Sequence, residues 1–245
     1  GGAAYQEEGE VREGIAINFN ITPASAYAGT STLFSFLVNE KPGNRPVEAA
    51  ELEYNHTKLM HVIGVRDDME EFFHMHPEQA AAYEGLGAVP GLFTVEHVFL
   101  EPGRYKVWSE VRQGRTDYTF GHPEISVEGE GERYKKDVFF GRSVIVGNYQ
   151  VLVEYDEPIV SGRETDVAFD IHDLAGREVA VDPYLAADMH LAIIKDGLTR
   201  LIHTHPEESE GDHHGSLPAW IQHASAHGGE EVAEGEDAKI VFHVV

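Results

Sequence analysis

Histidines are the residues of this sequence best suited to chemistry, because they recur in one pattern. The stretches "MHVIGVRDDMEEFFHMHPE" (60–78) and "MHLAIIKDGLTRLIHTHPE" (189–207) align without a gap over nineteen residues and share seven identities. The histidines of the two copies are His61, His74 and His76, and His190, His203 and His205. Neutral imidazole is a common transition-metal ligand. The repeat therefore predicts two metal sites of one kind.

A β-hairpin would bring each set of three histidines together. The Asp-Gly pair at 196–197 lies between two apolar runs and is typical of a two-residue hairpin turn, and an Asp-Asp pair holds the same place at 67–68. Such a turn sets His61 opposite His74, with His76 as a diagonal neighbour on the same face. The matching residues of the second copy are His190 opposite His203, with His205 on the diagonal.

Four more residues could take part in these sites. His97 and His243 occupy matching places near the end of a later strand, and either could add a fourth nitrogen. Met60 and Met189 have the opposite strand parity to the neighbouring histidines, so we expect them to face the core rather than the metal. The predicted metal-binding set is therefore His61, His74, His76, His97, His190, His203, His205 and His243.

Copper is the first choice of metal, because affinity of nitrogen sites for divalent ions peaks at Cu(II). Zinc is the alternative, since it also accepts three histidines. Protons compete with the metal for imidazole nitrogen, so we expect affinity to fall below about pH 6.5.

The segments around these motifs alternate between apolar and polar residues and favour strands. "GIAINFNIT" at 14–22 is the clearest case, and the strands that follow are separated by Gly, Pro, Asn and Asp. The pattern predicts an all-β protein of two tandem antiparallel immunoglobulin-like β-sandwich domains. The expected divisions are a flexible tail at 1–14, domain 1 at 15–130 and domain 2 at 137–245. Domain 2 reaches Val245 two residues after His243, so we expect it to lack its last strands.

Composition narrows the possible partners. With 43 acidic against 18 basic residues, the formal charge of -25 repels nucleic acid and attracts metal cations. The chain has no cysteine, which excludes disulfides and thiolate sites. No stretch has the apolar length of a membrane span, and the start lacks the basic and apolar regions of a signal peptide. If the protein is exported, we expect this to be the mature form.

The sequence around the first motif resembles a known family. "LEYNHTKLMHVIGVRDDMEEFFHMHPE", followed by "GLFTVEHVFLEPGRYKVWSEV", is similar to the YtkA-like domains of bacterial and archaeal extracytoplasmic proteins. The resemblance implies an immunoglobulin-like sandwich, copper handling, and a periplasmic, cell-surface or secreted location. Domain 2 departs from the family in lacking a counterpart of the strand that contains Tyr105 and Trp108.

Two other interpretations remain. A cupin enzyme is suggested by "HTHPEESE", in which Glu210 follows His205, but Ala81 stands at the matching place in the first copy. We expect no enzyme, although copper redox activity stays open. The second alternative is a subunit of an extracellular fibre, in which Ile15 to Ile21 is donated as a strand to domain 2 of a neighbour and metal stabilises the assembly.

Overall fold

The computed structural model describes residues 2–80, 89–131, 141–182, 187, 189–206 and 240–244. Over these residues the protein is all-β, and its helical structure is limited to the 3-10 turn Ala49–Glu51. Mostly antiparallel sheets confirm the predicted all-β, antiparallel fold class, whereas the number of domains stays a prediction. The chain divides into two compact units, Gly1–Val138 with Ile194–Leu201, and Phe139–Ile193 with Ile202–Val245. The bounds 15–130 and 137–245 stay a prediction.

The first unit holds two sheets. Its strands are β1 (Gly2–Glu7), β2 (Gly14–Thr22), β3 (Ala26–Tyr27), β4 (Ser31–Lys41), β5 (Arg45–Pro46), β6 (Met60–Arg66), β7 (Phe72–Met75), β8 (Glu78–Gln79), β9 (Leu92–Val98), β10 (Gly103–Gln113), β11 (Thr116–Gly121) and β12 (Ile125–Glu128). Within the described residues, one sheet has the order β1-β11-β10-β12-β3, with β6 on β10 and β7 on β6. The other has the order β2-β4-β9-β8, with β5 on β4.

The core of the first unit is formed by residues that alternate along these strands. β4 contributes Phe34, Phe36 and Val38, which are all fully buried, while the residues between them are more exposed. Met60 and Val62 of β6 belong to the same buried cluster. β6 differs from β4 because all seven of its residues are buried. Both faces of β6 are therefore covered, including the face that carries His61.

The N-terminal segment differs from the expected flexible tail. Gly2–Glu7 form β1, which pairs in parallel with β11. Side chains hold the strand in place, because the Tyr5 hydroxyl accepts a hydrogen bond from Trp108 Nε1 at 3.2 Å and Glu7 forms a 2.9 Å ion pair with Lys106. A charged, small-residue segment thus gains order from polar contacts that its hydropathy does not reveal.

The proposed donor segment, Ile15 to Ile21, lies inside β2. All nine residues of β2 pair with β4 of the same unit, and Ile15 and Ile17 are buried. This confirms the strand predicted at 14–22.

The second unit is described more sparsely. Its strands are β13 (Ser143–Val146), β14 (Tyr149–Tyr155), β15 (Thr165–Asp173) and β18 (Ile240–Val244). The hairpin strands β16 (Leu191–Ile194) and β17 (Leu201–Thr204) also belong to it, except for Ile194 and Leu201. Within the described residues the antiparallel sheet has the order β13-β14-β15-β18, and β16 pairs with β17. Ala168 and Phe242 are buried. No helix in the described part of the chain is long and apolar enough to cross a membrane.

Candidate metal centre

The first hairpin has a different register from the predicted one. His74 pairs with Ile63, and Val62 pairs with Met75. The same register continued by one pair sets His61 opposite His76, so His74 becomes the diagonal neighbour. The predicted pairing of His61 with His74 was wrong, because the loop holds four residues instead of two.

A buried ion pair holds the four-residue loop of the first hairpin in place. Arg66 is 1% exposed, and its Nε donates to Asp68 Oδ1 at 2.8 Å. The same oxygen accepts the Glu70 N–H at 3.1 Å, and the Arg66 N–H bonds the Glu71 carbonyl oxygen. Asp68 therefore organises a four-residue loop at 67–70 around the buried guanidinium.

The three histidines nevertheless converge. One potential ligand nitrogen from each of His61, His74 and His76 lies within 4.8 Å of the other two. His61 Nδ1 is 3.1 Å from His74 Nε2. Two nitrogens bound to one ion at about 2.0–2.1 Å with a tetrahedral angle lie about 3.3 Å apart. The cluster, called the first histidine cluster below, therefore already has close to the spacing that a metal ion requires.

His61 is held in one tautomer. Its Nε2 lies 2.9 Å from the carbonyl oxygen of Asn55, and because a carbonyl can only accept, Nε2 must donate its hydrogen. Neutral His61 then presents the unprotonated Nδ1 towards His74. Metal-binding histidines commonly use such a second hydrogen bond to fix their orientation. Burial of the ring, which is 1% exposed, strengthens this constraint.

A strained turn presents the Asn55 carbonyl. Asn55 and Lys58 exchange both backbone hydrogen bonds, and the two residues between them, His56 and Thr57, have φ values of 44° and 69°. Positive φ is rare for residues with a Cβ and rarer still for β-branched ones. Such strain is often found beside functional sites.

The opposite face of the hairpin is apolar. Met60 is fully buried in the core, and Met75 packs against the same cluster. This confirms that Met60 is a core residue, as its parity predicts. The ligand set of the first cluster is thus imidazole alone, without thioether sulfur.

The second hairpin repeats the geometry of the first. The Lys195 N–H bonds the Arg200 carbonyl oxygen, which leaves a four-residue loop at 196–199 and corrects the predicted two-residue turn at Asp196-Gly197. The residue at the third loop position has positive φ in both hairpins, 69° for Met69 and 57° for Leu198. The register continued outwards sets His190 opposite His205.

The second histidine cluster consists of His190, His203 and His205. His190 Nδ1 is 3.3 Å from His203 Nε2 and 2.8 Å from His205 Nε2. The rings of His203 and His205 are 4.6 Å apart, so all three are mutual neighbours. All three rings are half-buried. Met189, which precedes this cluster, is half-buried and is not part of the fully buried core.

A family model described as "Domain of unknown function (DUF8832)" matches residues 10–128 and 144–234. The chain belongs to this family. Both histidine clusters lie within the matched residues. No curated protein matches the chain. Membership therefore fixes the family but assigns no activity, and the chemistry must be inferred from the two clusters.

His97 is not brought to the first cluster. Its ring packs 4.1 Å from Phe73, 4.7 Å from Phe99 and 5.5 Å from Phe34, measured between centroids. Phe73 precedes His74 on β7, so the two point to opposite faces of the sheet. Burial lowers the pKa of His97 to about 4. These contacts make His97 a neutral member of an aromatic cluster on the core side.

His243 takes the backbone place that its match to His97 predicts. His243 pairs with Asp166 on β15, just as His97 pairs with Thr32 on β4. The side chain of His243 lies outside the described residues, as do Ala81 and Glu210 of the cupin comparison. Its role as a ligand stays a prediction.

A further histidine, His122, lies in a polar group that the sequence did not reveal. His122 Nε2 is 2.7 Å from Ser109 Oγ, and its Nδ1 is 2.6 Å from Glu8 Oε2. The order of groups resembles a hydrolytic triad, but Ser109 and His122 are both fully buried, so no substrate reaches the hydroxyl. Burial lowers the pKa of His122. The group is structural and ties the residue after β1 to β10.

Proposed function

We propose that this protein is an extracytoplasmic metal-binding β-sandwich protein that holds a copper ion in each histidine cluster. The observation that carries the proposal is the first cluster, in which three ring nitrogens lie within 4.8 Å of one another around a buried, tautomer-fixed His61. Three isolated surface histidines would gain nothing from such convergence, because each would lose hydration and side-chain freedom.

Copper is preferred to zinc on the chemistry of the ligand set. An all-imidazole set follows the order of affinities that peaks at Cu(II), and the core positions of Met60 and Met75 remove the soft sulfur that favours Cu(I). Zinc remains the alternative, since three imidazoles with an open fourth position also suit it. The extracytoplasmic location rests on the resemblance to YtkA-like domains, and fractionation of the source cells tests it.

The decisive experiment is metal content by mass spectrometry on protein purified without added metal or a metal-affinity column. We expect about two copper ions per chain, about one in His74→Ala and in His203→Ala, and none in the double variant. His172→Ala is the matched control, because His172 belongs to neither cluster and should leave the stoichiometry unchanged. Unchanged binding in the double variant would overturn the assignment.

A second candidate is self-assembly through strand pairing. It is favoured by β13, an edge strand within the described sheet, on which Val144, Ile145 and Val146 are 51–65% exposed. Deleting the first 22 residues would not test this pairing, because the deletion removes β1 and β2 and so disrupts both sheets of the first unit. Ile145→Lys tests it instead. If β13 forms the contact, the variant should lose the large species that the unsubstituted protein shows in light scattering. If the variant and the unsubstituted protein form particles of the same size, β13 is excluded as the contact.

A further inference from the structure

The strand next to the first histidine cluster carries a carboxylate on the same face of the sheet. β10 pairs with β6 in a register that sets Glu110 directly opposite His61. Directly opposed residues share a face, with Cβ atoms roughly 4.5–5.5 Å apart. Glu110 therefore lies on the same face of the sheet as His61 and next to it across the strand pair.

The carboxylate is held rather than free to rotate into solvent. Thr119 of β11 pairs with Glu110 on the other side of β10, and its hydroxyl donates to Glu110 Oε1 at 2.8 Å. Glu110 is half-buried, in a setting where charges are screened less than at an open surface. A cation bound by three neutral imidazoles keeps its full charge, so a fixed carboxylate beside it adds direct stabilisation.

The second cluster has no matching strand within the described residues. There β16 pairs with β17, whereas β6 pairs with both β7 and β10. The two clusters thus have ligands of the same kind. Within the described residues, only the first cluster has a neighbouring strand that supplies a negative charge.

We propose that Glu110 compensates the charge of the ion in the first histidine cluster and gives this cluster a preference for divalent over monovalent ions. The proposal rests on the proposed function, because it needs an ion in that cluster. Glu110 acts here as a charge beside the three nitrogens and replaces none of them as a ligand. The stabilisation it provides grows with the charge of the ion.

The test uses full-length His203→Ala, which leaves the first cluster as the intact site. Affinity for Zn²⁺ and for Ag⁺, a monovalent ion without redox chemistry, is measured by titration calorimetry in chloride-free buffer. Glu110→Gln in this background should weaken Zn²⁺ binding by about 10-fold or more and Ag⁺ binding distinctly less. Glu96→Gln is the matched control, because Glu96 is an exposed carboxylate of β9 and its loss changes the net charge equally.

The outcomes separate the two proposals. If the His203→Ala protein binds neither ion, the proposed function fails at this cluster. If it binds both and Glu110→Gln changes neither affinity, or weakens both by the same factor, the role of Glu110 is overturned. Thr119→Val keeps the charge but removes its anchor, so it should lower the Zn²⁺ preference less than Glu110→Gln does. It also serves as the test if Glu110→Gln does not fold, in which case an unchanged preference in Thr119→Val would overturn the proposal.

Discussion

The two histidine hairpins carry ligands of the same kind but differ in burial and in the strands described beside them. In the first, β6 is buried along its whole length, pairs with strands on both sides, and places a 1% exposed His61 against the Asn55 carbonyl. In the second, the histidines are half-buried and, within the described residues, β16 pairs with β17. The motif itself therefore specifies convergence of the nitrogens, while rigidity comes from the surrounding sheet.

The apolar face is also packed more closely in the first hairpin than in the second. Gly64 lies opposite Phe73 in the first hairpin, and the positions that match them in the second are Ile193 and Ile202. A Cβ at Gly64 would lie 2.0 Å from Phe73 Cζ, so the ring occupies the space above the glycine. Ile193 is 36% exposed. The first hairpin is anchored to the aromatic core, and we expect rigid, tight metal binding there.

The largest expected effect comes from removing the buried ion pair of the first loop. Asp68→Ala leaves Arg66 buried without its carboxylate, and we expect a loss of about 3–5 kcal/mol in the free energy of unfolding. Urea unfolding followed by tryptophan fluorescence, to which the buried Trp108 contributes, measures it. The second hairpin has Lys195 and Gly197 at the matching positions and needs no such pair.

The control for this prediction is the neighbouring carboxylate. Asp67 pairs with Arg104, whose side chain is 60% exposed, so Asp67→Ala should cost less than about 1 kcal/mol. Equal losses in the two variants would show that the loop tolerates either change and that the Arg66 pair does not organise it.

The next effect concerns the aromatic anchor. Gly64→Ala should destabilise the first unit by about 1–3 kcal/mol, because Phe73 is packed against Phe34, Phe99 and His97 and cannot move aside without disturbing them. Metal affinity of the first cluster should fall in parallel. The measurement is thermal unfolding together with metal titration of the same sample.

Rescue distinguishes a clash from a general weakening of the strand. The double variant Gly64→Ala/Phe73→Leu should recover part of the loss, since a shorter side chain leaves room for the new methyl group. Ile193→Ala is the matched change in the second hairpin and should leave the first unit unaffected. Without any recovery in the double variant, contact with Phe73 would not explain the loss.

The sequence could predict that the histidines converge even though it gave the wrong register. Val62 pairs with Met75, whereas the predicted pairing of His61 with His74 would set Val62 opposite Phe73, two residues earlier. A change of two keeps every side chain on its face, because the strand period is two. His61, His74 and His76 therefore stay together, and only the identity of the directly opposed residue changes.

What the sequence could not supply was contact between distant strands. Glu110 is 49 residues from His61, and no local pattern indicates that β10 lies beside β6. Glu8 belongs to a segment that reads as a tail, yet it bonds His122 in the core. Register between strands far apart in sequence depends on the packing of whole sheets, which spacing within one motif does not encode.

The smallest expected effect contrasts two histidines outside both clusters. Burial lowers the pKa of His97 to about 4, so the folded first unit binds a proton there less readily than the unfolded chain, whose histidine pKa is about 6.5. Its contribution to stability is complete above about pH 6.5 and is lost as the pH falls towards about 4. His172 shows the opposite sign, because its hydrogen bond with Asp170 raises its pKa. Its contribution is present at low pH and is lost as the pH rises through the raised value.

Two variants measured by urea unfolding across this pH range separate these contributions. His97→Phe keeps an aromatic ring but cannot titrate, so the acid-side loss should shrink by less than about 2 kcal/mol, since the ring is partly exposed and solvent screens the charge. His172→Gln should instead flatten the decline on the alkaline side. If His97→Phe leaves the acid-side slope unchanged, the acid sensitivity of the first unit must come from other buried groups, with His122 as the first to test because its pKa is also lowered by burial.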